Sequence, residues 1–406
     1  MREISIQESL AAIGGAVSAG CSVSETLRFS REHRLDDVRR LALGAVPIGV
    51  DRAMAMSQVA GWQAARVKLP SWAACEDIIY PPRLSMEQCS SEEAAAEKAG
   101  LVVGDSLVDL TGGLGVDFAA MAARVSRATM VERDPHLAAL ARLNLSSLGL
   151  ENVTVVNGEA QEFVASMLAP VGTIYLDPAR RSYKGQRVFA ISDCSPNAAA
   201  LAPRLLEMAQ RVIVKLSPML DLSETLRVLP SVSQLHVVAI DGECKELLVV
   251  MDRGYEGVPL IVCRDGARQF SYKTDEQVEP ASLWDETVIE GMLLCVPNAT
   301  IMKAGCHDRV AARWNVQLVS RNSHLMVGPR ADGFPGRVFS VQNVTTMGKR
   351  ELREALRGVE RANVAVRNFP MAAEQLRQRL RLKDGGDTYV FGTRTASGRH
   401  VLIIAK

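Results

Sequence analysis

Between residues 107 and 251 the chain repeats one pattern seven times: a short apolar, β-branched run followed by a polar break. The runs are 107–111 (LVDLT), 128–132 (ATMVE), 153–157 (VTVVN), 172–177 (GTIYLD), 211–216 (RVIVKL), 235–240 (LHVVAI) and 246–251 (ELLVVM). Runs of this length between polar breaks predict buried strands. Helix-patterned segments such as Pro135–Leu148 and Asn197–Gln210 separate the first six. Strands alternating with helices imply a parallel sheet covered on both faces. Only DGECK, 241–245, joins the last two runs. No crossover helix fits there, so that pair is expected to be an antiparallel hairpin. The predicted core is therefore α/β, with six parallel strands and an antiparallel seventh.

The flanks have different textures. Residues 1–95 are rich in Ala, Arg and Leu, with breaks at Pro47, Pro70 and Pro81–Pro82, and read as helical. Glu92–Ala99 is expected as a short helix leading into the first strand. Beyond 253, Leu260–Arg264 and Arg268–Tyr272 flank an Asp265–Gly266 turn, a hairpin signal. Residues 275–285 are polar and acidic and read as a linker. The end predicts a helix at Lys349–Arg357, a strand at Ala362–Arg367, a helix at Met371–Leu382 and two strands around Ser397–Gly398. The expected domains are 1–94, helical; 95–252, the α/β core; and two small α+β domains, 253–325 and 326–406.

Composition narrows the class. The chain has 406 residues, 48% hydrophobic and 23% charged, enough for several cores and ordinary for a soluble protein. No apolar run approaches the roughly 18 residues that a membrane-crossing helix needs, and the first twenty residues lack the sustained apolar core of a secretion signal. Eight cysteines are scattered singly, and the six histidines show no ligand spacing, so neither disulfides nor a metal is expected. These features suggest a cytoplasmic protein. The net charge of +1 hides an asymmetry. From Arg321 onward there are 16 Lys/Arg against 7 Asp/Glu, a net of +9, which leaves −8 for the remainder. A basic end on a mildly acidic body suggests a polyanionic partner, although a solvated basic face gives the same count.

The first strand runs into V-D-L-T-G-G-L-G-V-D-F, 108–118. Gly112, Gly113 and Gly115 allow a sharp turn and close approach of a ligand to the backbone. A dinucleotide fingerprint is excluded, because starting G-x-G-x-x-G at Gly113 places Phe118 at the third glycine. Acids follow at successive strand ends. Glu132 offers acceptors for two ribose hydroxyls, Asp109 suits an amino group, and Glu159 with Ala160 is placed to meet an adenine edge. With Thr111 and Arg133, these residues form a candidate site for S-adenosylmethionine. Six parallel strands with one antiparallel partner is the Rossmann-like layout of class I methyltransferases.

The fourth strand ends in L-D-P-A-R-R, 176–181. This resembles the D/N-P-P-Y/F/R element of nucleic-acid methyltransferases, where the acid and the first proline's carbonyl hold the target amine. The resemblance implies catalytic roles for Asp177 and Pro178, with Asp177 also beside the cofactor, and Arg180 joins them as a catalytic candidate. Ala179 replaces the second proline. Arg180 and Arg181 stand where an aromatic residue commonly stacks on a flipped base, and they suit a phosphate instead. Lys215, in V-K-L-S-P, occupies the place where a pyrimidine C5-methyltransferase of the D-P-P-R group would carry its cysteine, so covalent chemistry is not expected.

Longer blocks extend the resemblance: KLPSW (68–72), YPPRLSMEQCSSE (80–92), DLTGGLGVDF (109–118), YLDPARR (175–181), VKLSPMLD (214–221), DGECKELL (241–248), NATIMKAG (298–305), FPGRVF (334–339), RNFPM (367–371) and LRLKDGGDTY (380–389). The chain resembles bacterial class I methyltransferases with a C-terminal THUMP-like domain. That resemblance implies a ferredoxin-like insert near 255–300 and an RNA-directed tail, with Arg367, Arg377, Arg379, Arg381 and Lys383 as candidate phosphate contacts. Arg180, Arg181 and Lys215 are the substrate-side candidates in the core. The leading expectation is N-methylation of a base in structured RNA such as tRNA or rRNA. Two alternatives stay open: methylation of a small molecule or protein, and an RNA-binding assembly factor with a vestigial cofactor site.

Overall fold

A computed structural model describes residues 20–81, 83–180, 191–287 and 291–406. The chain divides into two compact units. One takes the chain up to His236 together with Glu246–Pro259; the other takes Val237–Lys245 with Leu260–Lys406.

In the first unit, helices at Val23–Glu32, Val38–Leu43, Arg52–Lys68, Pro70–Ala74, Arg83–Gln88 and Glu92–Ala99 precede the sheet. Asp51 caps the longest of them, its carboxylate accepting the Met54 N–H at 2.8 Å. That helix stops at Leu69, and Pro70 opens the next, as suits a residue without an N–H to offer the preceding turn. Two side-chain amides tie this region down. Gln58 pairs with the backbone of Tyr80 at 2.8 and 2.9 Å. Asn144, fully buried on the helix Pro135–Ser147, pairs with the backbone of Ile79 at 2.9 Å in both directions. Trp72, Tyr80, Phe118, Met121, Met130, Leu140 and Leu145 belong to one shared apolar cluster.

The strands up to Asp252 are β1 (Ser106–Asp109), β2 (Arg127–Glu132), β3 (Val153–Asn157), β4 (Val171–Leu176), the two-residue β5 (Ala179–Arg180) and β6 (Cys194–Ser195), β7 (Ala209–Leu216), β8 (Val232–Ile240) and β9 (Glu243–Asp252), the tip of the β8–β9 hairpin counting with the second unit. Counted from one edge, the nine-stranded main sheet runs β3-β2-β1-β4-β7-β9-β8 before its last two strands. The pairs β3–β2, β2–β1, β1–β4 and β4–β7 are parallel, and β7–β9 is antiparallel. The sequence pattern gives the direction of the odd strand but not its place: it lies inside the sheet, between β7 and β8. The expected five-residue connection is also shorter. Asp241 and Gly242, both at positive φ, make the whole turn, and Glu243, Cys244 and Lys245 already belong to β9.

From Leu260 the second unit starts with the hairpin of β10 (Leu260–Asp265) and β11 (Arg268–Lys273) around Gly266. It continues through β12 (Leu293–Pro297), β13 (Gln317–Leu318), β14 (Met326–Gly328), β15 (Gly336–Thr345), β16 (Asn363–Arg367), β17 (Tyr389–Arg394) and β18 (His400–Ala405). The last seven form one sheet in the order β13-β14-β12-β15-β18-β17-β16, so the two small domains expected from sequence share a single sheet through the β12–β15 ladder. The expected linker is partly anchored. Leu283 bridges to Leu318, and Trp284 is buried with its indole N–H donated to the Thr287 carbonyl at 2.8 Å. Polarity around this pair hides it from a compositional reading.

Candidate active site

The glycine turn after β1 is shaped by what it must avoid. A Cβ on Gly112 would lie 2.5 Å from the buried Met130 side chain, and Gly115 caps the helix Val116–Ala122 at φ +85°. Glu132, at the end of β2, holds the turn from the side. Its Oε2 accepts the Gly113 N–H at 2.7 Å and its Oε1 accepts the Asp134 N–H at 2.8 Å. Thr111 joins two strand ends. It donates its N–H and hydroxyl to Asp109 Oδ1 at 2.8 and 3.2 Å, while its hydroxyl accepts the Asp177 N–H at 2.7 Å.

These residues surround a cleft of about 410 Å³ at the carboxyl ends of the parallel strands, where open α/β sheets take their ligands. Asp109, Thr111, Gly112, Gly113 and Gly115 line it from the first strand and its turn. Glu132, Arg133, Glu159, Ala160 and Asp177 line it from the next three strand ends. Asp109 is almost fully buried; burial pushes its carboxyl up to about 8, against the lowering effect of the Thr111 N–H.

Pro178 is buried, and the backbone of Ala179–Arg180 pairs with Cys194–Ser195. Lys215 is turned to Asp177, donating from Nζ to Oδ2 at 2.6 Å. Arg181 lies outside the described residues. Arg367, Arg379, Arg381 and Lys383 are exposed in the second unit. Arg377 is committed internally, to Glu374 at 2.7 and 2.9 Å and to the Leu382 carbonyl at 3.2 Å.

Sequence reasoning missed a buried charge cluster beneath the cleft. Lys98, fully buried on the helix Glu92–Ala99, pairs with Asp117 Oδ1 at 3.2 Å and Glu246 Oε1 at 2.7 Å. Asp117 also accepts from Ser90 Oγ at 3.0 Å and from the Tyr175 hydroxyl at 2.8 Å. Burial would raise Asp117, but Lys98 and Lys215 outweigh it and hold the carboxyl below its usual range. Burial raises Glu246, with Lys98 opposing. Burial would likewise lower Lys215, yet Asp177, Asp117 and Glu246 keep the ammonium above its ordinary value. The signals were faint: a lone acid opening an apolar strand (Glu246), and SMEQCSSE, whose Ser85, Gln88, Cys89 and Ser90 line the cleft.

Among the described residues no helix is long and apolar enough to cross a membrane, and no group of three His, Cys, Asp or Glu is placed to hold a metal. A THUMP domain-like family model matches residues 336–406, and a ferredoxin-like domain model matches 294–335. Two curated relatives from Mycobacterium tuberculosis strains are 26% identical over 77% of this chain and 84% of theirs; each is described as an uncharacterized S-adenosylmethionine-dependent methyltransferase. A crystal structure described as "putative methyltransferase from Porphyromonas gingivalis W83" is 33% identical, with a TM-score of 0.83, covering 95% of this chain and 98% of that one. The chain belongs to this family of S-adenosylmethionine-dependent methyltransferases with ferredoxin-like and THUMP-like ends. In this methyltransferase the two matched regions meet between β14 and β15 and share the seven-stranded sheet. S-adenosylmethionine is the family's methyl donor. A side-chain-free glycine turn, a buried carboxyl and a two-oxygen acceptor on neighbouring strand ends line the cleft, a set compatible with its amino-acid and ribose ends.

Proposed function

We propose that this methyltransferase transfers the methyl group of S-adenosylmethionine to structured RNA. Residues 95–252 supply the chemistry, and the basic THUMP-like end, 326–406, captures the substrate. The observation that carries the RNA reading is the net +9 of the chain from Arg321 onward, coinciding with a THUMP domain-like region. Exposed Arg367, Arg379, Arg381 and Lys383 are the proposed phosphate contacts. Asp109 takes the cofactor's amino group, Glu132 its ribose, and Glu159 with Ala160 its adenine edge. Asp177 and the Pro178 carbonyl face the nucleophile. Acceptors there suit the N–H groups of a base amine, as L-D-P-A-R-R suggests, and they suit an O–H as well. Arg180 and Arg181 are proposed to hold a substrate phosphate.

Tritium transfer from labelled S-adenosylmethionine to total small RNA tests this reading. Label in RNA supports it; absence of label from RNA, with saturable cofactor binding intact, would move the substrate to a small molecule or protein. Salt gives a second check. Four phosphate contacts predict that RNA affinity falls roughly 100-fold between about 50 and 200 mM salt. A flat dependence in a binding titration would remove the tail from substrate capture.

The buried carboxyl gives a pH prediction. With Asp109 raised to about 8, it is largely protonated at neutral pH. A cofactor ammonium beside it favours the ionised form, so binding releases a proton. Cofactor affinity is therefore expected to rise by up to about tenfold per pH unit as pH approaches 8. It peaks there and falls at higher pH, because an unperturbed α-amino group loses its proton near about 8 and binding must then restore it. Calorimetry in buffers of different ionisation enthalpy reads the released proton, and Asp109→Asn is expected to flatten the slope. No proton release from the wild type would place the ammonium elsewhere.

A further inference from the structure

Methyl transfer to nitrogen and to oxygen asks opposite things of the groups around the nucleophile. An amine attacks through its lone pair and becomes cationic before losing a proton, so a neighbouring cation opposes it. A hydroxyl loses its proton as it attacks, its oxygen gains negative character, and a neighbouring cation lowers the barrier.

The end of β4 is built for the second case. One oxygen of Asp177 is engaged by the Lys215 ammonium at 2.6 Å. Lys215 is itself mostly buried, its side chain 17% exposed, whereas Asp177 is 40% exposed and lines the cleft. The contact with Asp177 positions Lys215, and the nearby charges of Asp177, Asp117 and Glu246 favour its protonated form. Asp117 and Glu246 are in turn held by Lys98, which is fully buried and bonds Ser90 Oγ and the Ala94 carbonyl besides them. Four strand or helix positions thus converge to keep one ammonium beside the nucleophile's carboxylate. The sequence also carries Arg180 where the aromatic residue of the D-P-P-Y/F element stands, so no ring is there to stack on a flipped base.

We propose that the nucleophile is a hydroxyl of the RNA, the ribose 2′-OH, the one hydroxyl that internal nucleotides present. This rests on the RNA reading above. The hydroxyl hydrogen faces Asp177 and the oxygen lies beside Lys215 Nζ. As the oxygen–carbon bond forms, the methyl carbon–sulfur bond breaks and its electron pair stays on sulfur. The sulfonium becomes a neutral thioether. The hydroxyl proton passes to Asp177 and from its exposed side to water, so charge and atoms balance. Lys215 stays protonated throughout and stabilises the oxygen electrostatically. The base is left in place, which removes the need for an aromatic stacking platform.

The test uses the full chain and total RNA from cells lacking this protein, which keeps the target site unmodified. Labelled RNA is digested to nucleosides, and mass spectrometry breaks the glycosidic bond to show which half carries the methyl. Methyl on the sugar is expected. Methyl on the base overturns the inference and leaves the RNA reading standing; no methyl in RNA overturns both. Once the nucleotide is mapped, the same RNA with a single 2′-deoxy substitution there is expected to accept nothing, and continued transfer overturns the proposal independently of any protein variant. Lys215→Met is expected to lower kcat on the order of 100-fold with cofactor Kd within about twofold, and Lys215→Arg to restore part of it. Undiminished kcat in a folded Lys215→Met protein would likewise overturn it.

Discussion

Lys98→Met is expected to destabilise the protein by about 3–5 kcal/mol, the usual scale for removing one partner from a buried ion pair. The side chain is fully buried and lies between two carboxylates, at 3.2 Å from Asp117 and 2.7 Å from Glu246. Methionine fills the space but leaves both acids in a region with little water, and each then stays ionised only at a cost. Asp117 retains donors in Ser90 and Tyr175, whereas among the described residues Glu246 has no ion-pair partner besides Lys98. The deficit should therefore depend on pH. In the variant both carboxyls shift upward, and a group whose folded pKa is raised loses stability as pH rises through that value. The gap to wild type should be widest near neutrality and narrow toward pH 4, as protonation neutralises the acids. Urea denaturation at several pH values reads this directly, provided the slope of the transition is unchanged. Lys98→Met combined with Glu246→Leu removes one of the stranded charges and should recover part of the loss. An unchanged midpoint in Lys98→Met would mean that water or another cation reaches these acids.

The division between what the sequence discloses and what it hides follows from how each feature is encoded. Strands buried on both faces need consecutive apolar residues, so β1, β2, β4 and β7 were legible as runs, and the edge strand β3 showed through its β-branched Val153–Val156. The beginning of β8 was not, because Ser233 and Gln234 break the apolar pattern; in the structure Ser233 bonds the Asp252 carboxylate at 2.5 Å, which accommodates its hydroxyl inside the sheet. The cofactor side of the cleft was legible because its residues are local: one glycine turn and one acid per strand end. Lys98 was hidden. A lysine in an Ala/Glu helix has the pattern of a solvated face, and nothing along the chain announces that Asp117 and Glu246 fold around it. Lys215 was legible as a substrate-side candidate in the place of a cysteine, but its pairing with Asp177 depends on the adjacency of β4 and β7. Charge clusters made by topology leave no periodic trace.

Asp177→Ala is expected to lower kcat on the order of 1000-fold, the upper end for loss of one group that acts on the developing charge. The backbone should be little disturbed. The Asp177 N–H, not its carboxylate, is tied to Thr111 at 2.7 Å, and alanine keeps it. Cofactor affinity should therefore stay within a few-fold of wild type, so the loss appears in kcat rather than KM. The companion variant, Asp177→Asn, separates the two chemistries at the site. Asparagine keeps an acceptor oxygen of similar reach but takes up no proton and offers Lys215 no charge. If the nucleophile were a base amine, an acceptor is what the site must supply, and Asn should retain much of the activity; the D/N-P-P pattern of amine methyltransferases uses either residue. For a ribose hydroxyl, the proton needs a carboxylate to receive it, and Asn should fall nearly as far as Ala. Single-turnover rates on the same labelled RNA, with cofactor binding measured in parallel, distinguish these cases. Full activity in Asp177→Ala would take this carboxylate out of the reaction altogether, and with it the reason for a lysine held at 2.6 Å from it.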